Sequence, residues 1–405
     1  MSIALSTTWL SRPGVVCALG SGLAQVAQRL YAGDTSGMQA SDAWIQGRTA
    51  VAGPYAGALP EWPEDLAPHQ RSHNNQLLLA AALQIEPMLR QAVARHGPHR
   101  VGVVLGTSTS GINDNAPAFV TLRETGRWPH GYDYRRQALS SPAAFLAEWL
   151  GSAGPAQTIS TACTSSARAL MTARALLRMG FCDAVVCGGA DSLCRFTLRG
   201  FASLGAISDA LCNPFSAARK GITIGEAAAL FLMQREAPDD NGVALLGGGA
   251  SSDAWHMSSP EPGGRGARQA MQAALSEAGL QAADIGWVNL HGTGTELNDA
   301  MESLAMQAFF PDQGVPCAST KPMTGHALGA AGALEAVLAW ITLSPEYADR
   351  PLPPHIWDGQ ADPALPALDF SGAGQAYAPG RRRVAMSNSF AFGGNNASLI
   401  LGAAP

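Results

Sequence analysis

Lysine is almost missing from this chain. Of its 26 basic residues only Lys220 and Lys321 are lysines, so arginine carries positive charge everywhere else. Each lysine is therefore a candidate for a task that a planar, permanently charged guanidinium fills poorly. Charge of either sign is scarce as well, at 14% of residues, which excludes a disordered, charge-solvated chain. The 26 basic and 31 acidic residues leave a net charge of -5, which argues against a general nucleic-acid binder while leaving room for a local basic patch. No two cysteines stand in CxxC spacing. Cys17, Cys163, Cys182, Cys187, Cys194, Cys212 and Cys317 are odd in number and scattered, which indicates neither a disulfide framework nor a zinc site. No apolar run reaches the roughly 18 residues of a membrane span. No basic run precedes the apolar stretch at the N-terminus, which Arg12 and Pro13 interrupt early. A reducing, cytoplasmic protein without a membrane span is expected.

What is abundant is apolar. Hydrophobic residues fill 47% of 405 positions, enough for two or three core-sized units at about 150 residues each. Short β-rich runs (RVGVVLG, AQTIST, DAVVCGG, ALFLMQRE, IGWVNLHG, VPCAST, RVAMSNS, ASLILG) alternate with longer Ala/Leu-rich helical runs, so an α/β architecture with buried strands is expected. After Cys163 a helix places Ala167, Leu170, Ala173, Arg174 and Leu177 on one face, and after His326 its counterpart places Ala330, Leu334, Val337 and Leu338. Both follow a β-like run and a loop of small or polar residues, which points to two related halves. The charged stretch REAPDDNG at 235–242 sets their boundary near 245, giving units 1–245 and 246–405. Pro- and Gly-rich stretches at 53–68, 258–266 and 351–380 read as surface connections.

Three segments carry candidate chemistry. In TISTACTSSARAL a β-branched run ends at Cys163 and a helix starts directly after it, so the helix dipole should lower the thiol pKa and favour a nucleophilic thiolate. A buried, inert Cys163 is the competing reading, and it is the preferred one for the other six cysteines. NLHGTGTELNDAMES and STKPMTGHALGAAGALE each set a histidine, His291 and His326, beside Gly and Thr in a tight loop after a β-like run. Such an imidazole can reach a shared cleft from a strand end. His69, His73, His96, His99, His130 and His355 fall in polar or Pro-rich loops and are read as solvated; His256 falls in a loop, SSDAWHMSSPEPGG, read as a lid. No HxxxH or acidic partner at ligand spacing supports a metal site. In NSFAFGGNNASLIL an aromatic pair precedes a Gly-Gly turn whose exposed N–H groups can face an oxyanion.

Taken together and in this order, Cys163 in TACTSS, His291 in HGTGT, Lys321 and His326 in STKPMTGHALGAAGALE and Phe392 in NSFAFGGNN resemble the elongating β-ketoacyl-acyl carrier protein synthases. GGADSL, NPFSAARKGITIGEAAA and DAWHMSSPEPGG extend the resemblance over nearly the whole chain. It implies the thiolase fold, two similar α/β halves in a five-layer αβαβα arrangement, and a dimer. It further implies that Cys163 takes up an acyl group from acyl carrier protein, and that the amides of Cys163 and Phe392 hold the oxyanion. His291 and His326 would stabilise the enolate left when malonyl-acyl carrier protein loses carbon dioxide, and Lys321 would orient the site. No bound cofactor is implied, the substrates riding on the phosphopantetheine arm, which Thr293 and Thr295 would bind. Phe392 matches the family's gatekeeper ring, Thr109 in GTSTSG its acyl pocket, where Gly106 and Gly111 would let the loop approach a ligand, and Arg199, Arg219 and Lys220 its carrier-docking region. Asp299 and Glu302 match acidic positions read as holding the His291 loop.

The sequence also departs from the family pattern. SRPG replaces a small TG turn and puts the first strand in doubt, and Ala391 and Asn395 stand where Gly and Thr are usual. The small, partly polar Thr109 suggests a longer or less saturated acyl chain, and the wording of the motifs looks like synthases of aryl polyene or related secondary pathways. A degradative thiolase would need a second cysteine after Cys317, and an initiating synthase an Asn at His326; both are disfavoured. A non-catalytic chain-length partner would lack the nucleophile, although this chain could pair with one as homodimer or heterodimer. A cysteine-dependent acyl hydrolase stays open.

Overall fold

The computed structural model describes residues 7–237, 242–311, 314–372 and 374–404. Of the charged stretch expected to mark the boundary, 238–241 lie outside these residues. The chain begins with β1 (Thr8–Leu10), β2 (Gly14–Cys17) and β3 (Gly20–Ser21), so the first strand forms despite the SRPG segment beside it. A hairpin of β4 (Gln39–Ile45) and β5 (Arg48–Gly53) follows, then β6 (Val101–Gly106), β7 (Ala156–Ile159), β8 (Ala184–Asp191), β9 (Ile224–Gly225) and β10 (Ala227–Gln234). The second part contributes β11 (Val243–Ser252), β12 (Trp287–Asn289), β13 (Cys317–Ala318), β14 (Val384–Phe390) and β15 (Asn395–Ala403).

The two parts repeat one strand plan. The first runs β7-β6-β8-β10-β2 and the second β13-β12-β14-β15-β11. In each, the first three strands of that order are parallel and the last two join antiparallel. β1 pairs antiparallel with both β10 and β11 and so joins the two into one hydrogen-bonded sheet. The parallel strands β6, β8, β12, β13 and β14 are buried along their length because both of their faces are covered, whereas the edge strand β7 is partly exposed. β8, for instance, is buried at every position.

Two helices lie between the halves. Ser165–Arg178 packs on β6 and β8 and reaches β15; Ala331–Leu343 packs on β14 and β15 and reaches β8 and β10. Helices His73–Leu83 and Ser141–Leu150 cover the outer face of the first half, and Arg265–Ala278 covers the second, completing five alternating layers. All 13 residues of Ala331–Leu343 are buried, which explains why that helix is apolar all round rather than striped. The two central helices meet almost backbone to backbone. A Cβ at Gly332 would lie 2.8 Å from Ala167, too close for any side chain.

Among the described residues no single helix is long and apolar enough to cross a membrane. Two histidines depart from the solvated reading. His73 opens the helix His73–Leu83, with Nε2 2.9 Å from Glu226, and His355 is buried against Phe370. Both positions look polar in one dimension; distant segments half-bury His73 and enclose His355.

Candidate active site

Loops at equivalent strand ends of the two halves meet at one buried point. After β7 the chain turns sharply through Ala162, whose φ of 55 is in the left-handed region, and delivers Cys163 just ahead of helix Ser165–Arg178. Such backbone is costly for a residue with a side chain, about 1–3 kcal/mol, and persists because Ser165 and Thr161 tie the turn. The Ser165 hydroxyl donates to Ala162 O at 2.5 Å and accepts from Thr161 N at 2.9 Å. After β13, the turn Lys321–Thr324 leads into His326. The His326 backbone is held by the first half: its N–H donates to Thr223 O at 2.7 Å and its carbonyl accepts from Gly225 N at 3.0 Å. Only glycine fits at 225, since a Cβ there would lie 2.1 Å from Thr324 O.

The result is a tight cluster. His326 Nε2 lies 3.0 Å from Cys163 Sγ, and the His291 and His326 rings stand edge to face at 5.2 Å. His291 comes from the loop after β12. Glu302 fixes that loop by accepting from the amides of His291 and Gly292, each at 2.7 Å, and Asp299 accepts from Phe215 N and Gly294 N. These contacts are the loop-holding geometry expected of the two acids. Burial raises their carboxyls, Asp299 to about 6 and Glu302 to about 8, against the pull of those amides.

Lys321 is one of the largest fully buried side chains. Its Nζ donates to His291 O at 2.5 Å and to Glu335 Oε1 at 2.6 Å. Burial, with the Lys321 charge acting in the same direction, lowers both imidazoles well below their ordinary range, so they are neutral at pH 7. Neither Nδ1 has a partner among the described residues. Either ring is then free to carry its proton at Nε2 or not. Ligand atoms of Cys163, His291 and His326 lie within 4.8 Å of one another, a spacing that would also admit a metal ion, but the adjacent buried ammonium opposes a second positive charge.

Cys163 does not have the lowered pKa that its place at a helix start suggests. Its pKa is pushed up to about 12, because complete burial outweighs the opposing Lys321 charge. The thiol is thus neutral at rest, and thiolate character has to come from proton transfer to a neighbour, for which His326 Nε2 is in reach.

The remaining expected residues are spread around this point. Thr293 and Thr295 hydroxyls lie 3.1 Å apart. Thr295, Leu297, Leu204, Lys220, Ser258 and Phe392 line a cleft of about 520 Å³. Phe392 stands edge-on to Phe201 at 5.5 Å, and the Ala391 amide donates to Asn395 O across the turn that follows. Gly393 N donates to Met257 O, which ties that turn to the loop read as a lid, whereas His256 is exposed and, among the described residues, bonded to Ser258. Thr109 is fully buried, its amide and hydroxyl both 2.8 Å from Asp191 Oδ1. Gly106 and Gly111 serve chain packing and not a ligand: a Cβ at either would strike backbone, of Ser166 and Arg136 respectively. Arg199 and Lys220 are exposed, but the Arg219 side chain is only 8% exposed and is engaged by Asp362 at 2.6 Å, so it is not a free surface charge.

Sequence reasoning passed over two acids. Asp191 ends β8 inside the quoted GGADSL and accepts from the amides of Ser108, Thr109 and Gly329. Glu335 is the lone charge in an otherwise apolar central helix, and that isolation was the available signal.

The profile of the β-ketoacyl synthase N-terminal domain matches residues 72–238, and that of the C-terminal domain matches 243–353. The chain is 33% identical to 3-oxoacyl-[acyl-carrier-protein] synthase 2 of Rhizobium meliloti (strain 1021), over 74% of this chain and 73% of that protein. It is 29% identical to nodulation protein E of the same strain, over 95% and 96%. Among solved structures it is similar to the complex of a ketosynthase (ApeO) with its chain length factor (ApeC) from Xenorhabdus doucetiae, with 45% identity, a TM-score of 0.91 and full coverage of both chains. The ishigamide ketosynthase/chain length factor follows at 27% identity and a TM-score of 0.87, covering 99% of this chain and 100% of that one. With both domain profiles matched in order and 33% identity to a 3-oxoacyl synthase over 322 aligned residues, the chain belongs to the β-ketoacyl synthase family, acyltransferases of the thiolase fold.

Proposed function

We propose that Cys163, His326 and His291 carry a decarboxylative Claisen condensation in two half-reactions, a reading supported above all by the 3.0 Å contact between Cys163 Sγ and His326 Nε2. In the first, His326 takes the thiol proton as Cys163 attacks an acyl thioester, and returns it to the departing pantetheine thiolate. Burial makes the proton transfer necessary, and a neutral imidazole makes it feasible. The amides of Cys163 and Phe392 receive the developing oxyanion. In the second, malonyl-acyl carrier protein loses carbon dioxide, and Nε2–H groups of His291 and His326 stabilise the enolate. Its carbon attacks the acyl-Cys163 carbonyl and expels the Cys163 thiolate, which takes the Nε2 proton of His326, one proton from solvent being consumed per turnover, and the β-ketoacyl product departs. Lys321 orients this step through the His291 carbonyl, and its charge adds to burial in keeping both rings neutral.

Substrates arrive on the phosphopantetheine arm of acyl carrier protein, with no bound cofactor needed. The arm enters by the cleft that Thr295 and Phe392 line, Thr293 and Thr295 bind it, and Phe392 swings aside as gatekeeper. Arg199 and Lys220 face the acidic carrier, Arg219 acting indirectly by bracing the Lys220 loop. Thr109 borders the acyl pocket, and its size fits a long or unsaturated chain, as in aryl polyene assembly.

The test is intact-mass analysis after incubation with a panel of acyl carrier proteins. Acyl mass should appear on Cys163 and disappear, with formation of β-ketoacyl carrier, when malonyl carrier is added. Discharge as free acid would instead identify a hydrolase. A second reading, a catalytic subunit that works only beside a chain-length-factor-like partner, is favoured by the similarity to a chain of a ketosynthase–chain length factor complex. Activity of the purified chain alone, as a homodimer, would exclude it.

A further inference from the structure

His355 lies in a Pro-rich stretch far along the chain from every motif, yet it is buried, 7% exposed, with both ring nitrogens engaged. Nδ1 accepts from Ser319 N at 3.1 Å, and Nε2 donates to Pro214 O at 3.2 Å. Because a backbone N–H points at Nδ1, the ring is the neutral Nε2–H tautomer. Its face stacks on Phe370 at 4.1 Å, with 12° between the planes, so ring position and tilt are fixed as well.

Both partners sit at the back of the candidate site. The Ser319 hydroxyl donates to Gly292 O at 2.6 Å, next to His291, and Lys321 follows two residues later. Pro214 precedes Phe215, a left-handed residue whose amide is held by Asp299 and whose ring lies 2.9 Å from where a Gly292 Cβ would be. The imidazole therefore clamps the Pro214 segment of the first half to the two loops that carry His291 and Lys321. The Cys163 turn makes none of these contacts; its bonds are to its own helix, to Ser108 and to His326.

We infer that His355 is a positioning residue for the decarboxylation half-reaction: by joining Pro214 to Ser319 it sets the Gly292 carbonyl, and with it the His291 imidazole, without touching substrate. The inference rests on the two-step reading above, and it assigns His355 to the second step only. A phenylalanine keeps the stack and removes both hydrogen bonds; a glutamine restores one acceptor and one donor.

The experiment measures two rates in each variant, Cys163 acylation in the Cys163-intact enzyme and malonyl-carrier decarboxylation in a Cys163→Gln background. His355→Phe should lower decarboxylation by about tenfold to a hundredfold, the scale of an ångström-level misplacement, and leave acylation within about twofold. His355→Gln should recover a substantial part of the loss. A uniform fall in both rates, with no rescue by glutamine, would mean a general packing role and overturn the inference, as would unchanged decarboxylation in soluble His355→Phe. Absence of decarboxylation in Cys163→Gln itself, with His355 intact, would strike the two-step reading instead. Circular dichroism and melting temperature of each variant establish that folded protein is compared.

Discussion

The two halves share a strand plan and divide the chemistry. Behind β7 the first half presents the proposed nucleophile, Cys163; at the equivalent place behind β13 the second presents Lys321 and His326, and behind β12, His291. Each half also uses buried carboxylates to lock loops: Asp191 collects the amides of Ser108, Thr109 and Gly329, Glu302 those of His291 and Gly292, and Asp299 those of Phe215 and Gly294. The repeat therefore explains the scaffold, while the strand-end loops, free to differ, explain the reaction. Neither half holds a complete site. The His326 backbone is even hydrogen-bonded to Thr223 and Gly225 of the other half.

That division can be broken most severely at the Lys321–Glu335 pair. Lys321→Met removes the ammonium from a buried carboxylate that has no other hydrogen-bond partner among the described residues, and should cost about 3–5 kcal/mol of stability, read by denaturant melts. The double variant with Glu335→Leu should recover much of the stability but not the condensation rate, which separates the structural from the catalytic share.

Thr109 tests whether the first half also shapes the acyl pocket. Thr109→Phe overpacks a buried site, a cost of about 1–3 kcal/mol. If the pocket assignment holds, that cost falls on long acyl groups, so acylation rates across a chain-length series should drop selectively at the long end. An equal drop at every length would assign Thr109 to its Asp191 hydrogen bonds alone.

At the surface the expected effect is smaller. Charge reversal of Arg199 and Lys220 should raise the KM for carrier-bound substrate several-fold, with kcat and turnover of acyl-pantetheine unaffected, because exposed charges act mainly on encounter. Equal effects on both substrates would remove this face from docking.

The least conspicuous contrast is in pH. Burial holds His355 at about 4, below its unfolded value near 6.5. The unfolded chain therefore binds a proton that the folded one refuses, and stability is lost as pH falls from 6.5 toward 4. Melting temperatures over that window should decline more steeply in the wild-type protein than in His355→Phe, by the equivalent of up to one proton.

Legibility in the sequence followed the range of the interactions. The alternating pattern exposed the strands, and small-residue loops exposed Cys163, His291, Lys321 and His326, because each of those signals is local. Cys163 burial was not local, so the helix-dipole argument predicted a lowered pKa where desolvation raises it. Arg219 looked like a docking charge until Asp362, 143 positions away, was found beside it. His355 looked solvated because its partners, Pro214 and Ser319, are remote in the chain.

The central claim is that a thiol from one half and two imidazoles from the other act as one site with separable steps. The most direct measurement is carbon dioxide release from malonyl-acyl carrier protein by Cys163→Gln, alongside intact-mass analysis of its acylation. The account predicts continued decarboxylation by His291 and His326 with no acyl adduct. A folded variant that still acylates, or that has lost decarboxylation altogether, would contradict it.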